Sequence, residues 1–203
     1  MIANPKNQPM APEAYLEWEA QQPLRYEYLN GMAYAMTGDT VPHNDIALNL
    51  YRTLYSHLRS IGCRVNVADV KVQVSNNGPY FYPDVIVSCH EQDQRARKLI
   101  QFPCLIIEIL SPGTAGFDRG EKFRAYRRLH TLQEYVLVDS ETRSVDCYRR
   151  NEHGKWELTA YPPDEDPDNG SDLEVHFISI DFRCPLSLIY ENIDFPEPSP
   201  DLP

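Results

Sequence analysis

The chain lacks any apolar run of about eighteen residues, the length a membrane-crossing helix needs. It lacks the charged start and following apolar stretch of a secretory signal: residues 1–15 read MIANPKNQPMAPEAY. It has no CxxC pair. Cys63, Cys89, Cys104, Cys147 and Cys184 are odd in number and widely scattered. That argues against a disulfide framework or a zinc centre, and predicts reduced, mostly buried thiols in a cytoplasmic protein. Basic side chains are also short, with 19 Lys and Arg against 30 Asp and Glu and a net charge of −11. A generic nucleic-acid binder must neutralise phosphates, so this balance excludes a broadly basic binding surface.

The charge that is present is unevenly placed. Residues 95–150 hold eleven of the basic side chains against seven acidic ones, which leaves eight against twenty-three elsewhere. A basic centre on an acidic body can still focus a phosphate, though weakly, and composition alone favours the plainer alternative of a solvated surface with mixed charge. At 203 residues, 42% of them apolar, the chain fits one domain with a real core. We expect that domain over 1–193, with 1–11 a loose arm carrying Pro5 and Pro9. Residues 194–203, with prolines at 196, 198, 200 and 203, read as a disordered or extended acidic tail.

Along the chain, Ala11–Ala20 suits a short helix. Leu24–Met36 alternates around Asn30-Gly31, a strong hairpin signal. Pro42 opens a long helix to about Ser60, in which Ile46, Leu50, Leu54 and Leu58 make one buried stripe. Strands are predicted over Arg64–Val74, Tyr80–Ser88, Cys104–Leu110 and Glu134–Asp139. A helix runs from Asp118 to Leu129, a late hairpin joins Ser144–Arg149 to Trp156–Tyr161, and Pro162–Asp172 is an acidic loop. This is a mixed α/β (α+β) arrangement: a central sheet flanked by helices, with an N-terminal β-hairpin.

Three residues stand out chemically. Glu108 interrupts LIIEIL (Leu105–Leu110), a run apolar enough to be buried on both faces. A carboxylate there must be paired, protonated or metal-bound, because burying it alone costs several kcal/mol. Asp84 follows Pro83 and precedes Val85-Ile86-Val87 in the same pattern. Two such carboxylates on adjacent strands repel unless a cation lies between them. Their oxygens suit Mg2+ or Mn2+. The plain alternative pairs Asp84 with an arginine and ends the Glu108 strand at a polar edge. Lys122 shares a helix face with Tyr126 and Leu129, so its stem either carries the ammonium toward the sheet or snorkels to solvent. Asp118 and Glu121 match an N-cap and capping-box pair, with a metal role for Asp118 the other reading. Arg119, Arg124, Arg127 and Arg128 surround this helix, and Arg119 and Arg124 are candidate nucleic-acid contacts.

Taken in order, Tyr26–Gly31, Tyr82-Pro83-Asp84-Val85, Ile107–Pro112, Asp118–Tyr126 and Glu134–Asp139 resemble the PD-(D/E)XK nuclease superfamily. Within it they are most similar to the Uma-two family of restriction endonucleases, over roughly Ala11–Tyr161. The resemblance implies a restriction-endonuclease-like fold and a metal-dependent endonuclease acting on nucleic acid, DNA in the first instance. It implies Asp84 and Glu108 as metal ligands, with the Ile109 carbonyl as a further one and Glu27 binding through water. Lys122 would orient or activate the attacking water, or steady developing negative charge. His43 matches a histidine near the start of the long helix, with a capping or packing role and a catalytic or supporting one both open, and Tyr126 is a further supporting residue. The superfamily places its lysine two residues after the glutamate, where this chain has Leu110; in this branch the lysine lies on the following helix. Lys71 is the fallback, although alternation points it to solvent. A second reading is a non-catalytic module on the same fold, serving protein contacts or dimerisation, and a homodimer is expected in either case.

Overall fold

β1 (Ile2–Ala3) and α1 (Pro12–Glu19) precede a hairpin of β2 (Tyr26–Leu29) and β3 (Met32–Ala35). Asn30 and Gly31 turn it at φ 52° and 84°, the left-handed pair that a two-residue hairpin turn requires. The structure, a computed structural model, describes residues 2–3, 9–36, 38, 40–162 and 173–195. The stretch expected as a loose arm is tied to this hairpin at both described places. Ile2 and Ala3 pair with Ala35 and Tyr34, and the Met10 amide donates to the Gly31 carbonyl.

α2 (Val41–Ser60) starts as the sequence predicts, with the Thr40 hydroxyl accepting from the His43 amide and Pro42 in the first turn. Ile46, Leu50, Leu54 and Leu58 are fully buried along one face. The next two predicted strands each break in two. Arg64–Val74 divides into β4 (Arg64–Val67) and β5 (Lys71–Gln73), because Ala68 takes the left-handed φ of 46°. Tyr80–Ser88 divides into β6 (Tyr80–Phe81) and β7 (Val85–Ser88) at Pro83, which has no N–H for a ladder.

The chain continues through α3 (Glu91–Gln94), β8 (Leu99–Ile100) and β9 (Leu105–Leu110). Then come α4 (Ala115–Phe117), a π-helical turn (Asp118–Lys122) and α5 (Phe123–Tyr126). β10 (Glu134–Asp139) is followed by the hairpin of β11 (Val145–Arg150) and β12 (Trp156–Tyr161). A short ribbon that the sequence reading omitted, β13 (Glu174–Phe177) with β14 (Phe182–Pro185), leads to α6 (Leu186–Ile189).

Two six-stranded sheets result. The central one is ordered β12-β11-β10-β9-β7-β4, mixed because β9 and β10 run parallel. The other, ordered β1-β3-β2-β6-β5-β8, was not expected. Each strand break carries the chain between them, so Asp84 lies where it passes from one sheet to the other. On β9, Leu105, Ile107 and Ile109 pack in the core that contains the α2 stripe. Ile106 and Leu110 point the opposite way, into the core containing Tyr126, Leu129 and Tyr135. Alternation therefore sends Glu108 toward the helical segment that carries Lys122.

Cys63 and Cys89 are joined by a disulfide, which corrects the expectation of reduced thiols. They flank the register pair Arg64–Ser88 of β4 and β7, a proximity across 26 residues that spacing cannot reveal. Cys104, Cys147 and Cys184 are free and buried, as expected. Past residue 193 the chain still packs, with the Phe195 ring 5.3 Å from that of Tyr190. The rest of the predicted tail, and the acidic loop beyond Pro162, lie outside the described residues. No helix among these residues is long and apolar enough to cross a membrane.

Candidate active site at the seam of the two sheets

Four carboxylates, one lysine and one histidine meet where the sheets adjoin. Asp84, placed by the break at Pro83, accepts a 2.7 Å hydrogen bond from the Ile109 amide on Oδ2. The same oxygen is 3.3 Å from His43 Nε2, in the first turn of α2. Glu27 comes from the hairpin, and its Oε1 accepts from the Tyr82 amide at 3.0 Å. Glu108 comes from mid-β9, and its Oε1 accepts from the Tyr126 hydroxyl at 3.0 Å. Asp118 and Lys122 are the ends of the π-helical turn, a local widening of the helix often found at functional sites. Lys122 Nζ lies 3.0 Å from Glu108 Oε1, 3.1 Å from Asp118 Oδ1 and 3.3 Å from Glu27 Oε1. These six side chains line one cleft of about 50 Å³.

Burial sets the electrostatics. Glu27, Glu108 and Asp118 are each 2% exposed and Lys122 7%. Desolvation pushes Glu108 well above the usual carboxylate range. Lys122 opposes the rise, while Asp118, Asp84 and Glu27 add to it. Glu27 is also raised, first by burial and against the pull of Lys122. Burial alone would lower Lys122, but Glu108, Glu27 and Asp118 together hold it well above the ordinary lysine value. The ammonium is therefore a persistent cation. Burial, then the charge on Glu108, raises the Tyr126 phenol well above its normal range, so it stays a neutral donor.

One ammonium is shared among three buried carboxyl groups and does not satisfy all of them. Asp118 Oδ1 shows it most plainly: within 3.1 Å of Lys122 Nζ, it is still the one buried side-chain oxygen or nitrogen among the described residues without a hydrogen-bond partner. Lys122 is close enough for attraction but not aligned for a bond. The donor set is all hard oxygen, chemistry that fits Mg2+ or Mn2+. As the side chains stand, no group of three His, Cys, Asp or Glu among the described residues is spaced to hold a metal. The ammonium occupies the space between Glu27, Glu108 and Asp118 instead.

Asp84, Glu108, Lys122, Glu27, His43, Asp118 and Tyr126 are thus brought together, Glu27 touching the cluster directly. Asp118 does not cap a helix. Helical structure begins at Ala115, and the Asp118 amide donates back to the Thr114 carbonyl. Glu121 pairs with Arg124 on the surface instead of completing a capping box. Arg119 is engaged by Asp146 on β11 and does not line the cleft. Arg124 lies in the cavity next door. Lys71 is neither solvent-facing nor in the cleft: it is 7% exposed and pairs with Glu19 at 3.0 Å. Sequence reasoning missed the His43–Asp84 contact and the Tyr135 hydroxyl that donates to the Asp118 carbonyl. Neither carries a local signal.

A central mixed sheet flanked by helices, with Glu108 of that sheet beside a lysine from the following helical segment, defines the class by its fold: restriction-endonuclease-like. The chain belongs to the Uma2 family, whose description is "Putative restriction endonuclease" and whose family model matches residues 12–183. It is 35% identical over 198 residues to the uncharacterized protein slr1290 of Synechocystis sp., covering 96% of this chain and 100% of that one. It is 33% identical over 147 residues to sll1609 of the same organism, also uncharacterized, covering 71% and 83%. The fold matches the crystal structure of a "putative nuclease belonging to DUF820" from Anabaena variabilis with a TM-score of 0.72. That match has 17% identity and covers 90% of this chain and 98% of the other.

Proposed function

We propose that this protein is a metal-dependent endonuclease that hydrolyses phosphodiester bonds in nucleic acid. The observation that carries the reading is the convergence of Glu27, Glu108, Asp118 and Lys122 beside Asp84 in one cleft. Asp84 and Glu108 would hold Mg2+ or Mn2+, with Asp118 and Glu27 as further oxygen donors. Such an ion, when bound, lowers the pKa of a water and polarises the phosphoryl oxygen. Lys122, kept protonated by its neighbours, is no general base; it stabilises the negative charge that develops on the phosphoryl oxygens. Tyr126 orients Glu108 through its hydroxyl, and the Ile109 amide and His43 fix Asp84.

Incubation with plasmid, linear duplex and single-stranded DNA, in Mg2+ or Mn2+ and in chelator, tests this. Cleavage that depends on the ion is the expected result, and cleavage unaffected by chelator refutes it. The position of the Lys122 ammonium between Glu27, Glu108 and Asp118, where an ion would lie, favours a second reading, a non-catalytic module on the same fold. A metal-binding isotherm that is flat for the native protein and for Asp84→Ala alike would select that one.

A further inference from the structure

The cleft is too small for a nucleotide. At about 50 Å³ it has room for a phosphate among its charged groups. A second cavity of about 570 Å³ opens beside it and shares Thr114 and Phe117 with it. That volume lies within the range of small-ligand pockets, roughly 300–1,000 Å³.

Its walls suit a base. Tyr34 and Phe117 are both half-buried and line it, and each is one step from a carboxylate of the cluster. Tyr34 is the direct cross-strand partner of Glu27, so both side chains lie on one face of the hairpin. Phe117 immediately precedes Asp118, and its ring is steadied by an edge contact with Phe81 at 6.2 Å. Arg124 lines the same cavity, its side chain 70% exposed and held by Glu121 at 2.9 Å. An exposed pair of this type is weak enough to exchange for a phosphate.

We propose that this cavity binds one unpaired nucleotide next to the scissile phosphate, its base stacked on Tyr34 and Phe117, so that the substrate is a single strand. The inference rests on the nuclease reading above. Paired bases inside a duplex cannot enter such a cavity without leaving the stack. The net charge of −11 points the same way. An acidic protein offers few of the phosphate contacts on which duplex binding draws, and each stacked base adds binding that no phosphate contact has to supply.

Fluorescence anisotropy tests it, with labelled single-stranded DNA, single-stranded RNA and the DNA duplex of the same sequence, in EDTA and again in Ca2+. A single strand should bind more tightly than the duplex; whether DNA or RNA binds better identifies the sugar recognised. Tyr34→Ala should weaken single-strand binding about 5- to 150-fold, the loss expected for one stacked base. Tyr34→Phe should restore it, and Phe117→Leu should weaken it independently, with circular dichroism checking that each variant is folded. Equal or tighter duplex binding, or no loss in Tyr34→Ala, overturns the proposal. Hydrolysis of methyl p-nitrophenyl phosphate by the native protein in Mn2+ reads the chemistry without any base. If that fails while single-strand binding behaves as expected, the nuclease reading falls and the base pocket stands. Hydrolysis without strand preference has the opposite meaning.

Discussion

Replacing Lys122 with methionine keeps most of the stem's volume and removes the one cation shared by Glu27, Glu108 and Asp118. Those contacts are 3.0–3.3 Å long, among carboxylates each 2% exposed. Removing one partner of a buried ion pair costs about 3–5 kcal/mol, and with three carboxylates losing the same counter-ion the upper end is expected. The penalty must depend on pH. Glu27 and Glu108 already sit above the ordinary carboxylate range because burial outweighs the pull of Lys122; without the lysine they rise further. A folded-state pKa above the unfolded value means stability that is present below the unfolded value, about 4.3 for Glu, and lost as pH rises. The deficit of Lys122→Met against the native protein should therefore be smallest near pH 5 and grow toward pH 8. Its slope is at most about 1.4 kcal/mol per pH unit for each proton involved. Urea unfolding across that range measures it. Millimolar Mn2+ should return more stability to the variant than to the native protein, since the ion would take the place of the ammonium. A deficit under about 1 kcal/mol, or one that does not change with pH, refutes the reasoning.

Other consequences follow from the same contacts. Glu108→Gln removes a buried group whose folded pKa is raised, so its stability relative to the native protein should improve between pH 5 and pH 8, read by thermal unfolding; a falling difference contradicts the assignment. Tyr126→Phe deletes the hydroxyl that donates to Glu108 and should cost about 1–3 kcal/mol in chemical denaturation, because the carboxylate loses a buried donor. Lys71→Met breaks the buried pair with Glu19, which also accepts from the Tyr82 hydroxyl at 2.6 Å. It should destabilise the fold by about 3–5 kcal/mol without changing the midpoint of Mn2+ binding, since Lys71 does not line the cleft.

The candidate site was legible where a residue conflicted with its surroundings. Glu108 inside LIIEIL and Lys122 on a buried helix face each contradict their neighbours, and the structure resolves both conflicts with one contact of 3.0 Å. Asp118 presented no conflict. An aspartate ahead of a helical pattern looks like a cap, and nothing local shows that helical structure begins at Ala115. Lys71 misled for a related reason. The alternation of Arg64–Val74 has the pattern of one strand, but the left-handed Ala68 breaks it, and an alanine carries no sign of that conformation. The division into two sheets rests on that residue and on Pro83, so the seam holding the site was invisible although most of its side chains were not. The Cys63–Cys89 link and the His43–Asp84 contact depend on strand register and helix placement, which exist only once the chain has folded.

The most direct test of the central claim is cleavage of single-stranded DNA and RNA in Mn2+ by the native protein beside Asp84→Asn and Lys122→Ala. The account predicts cleavage by the native protein that chelator abolishes, loss in Asp84→Asn, and a fall of about 100-fold or more in Lys122→Ala, the usual effect of deleting one electrostatic stabiliser. Cleavage that persists undiminished in both variants would contradict it.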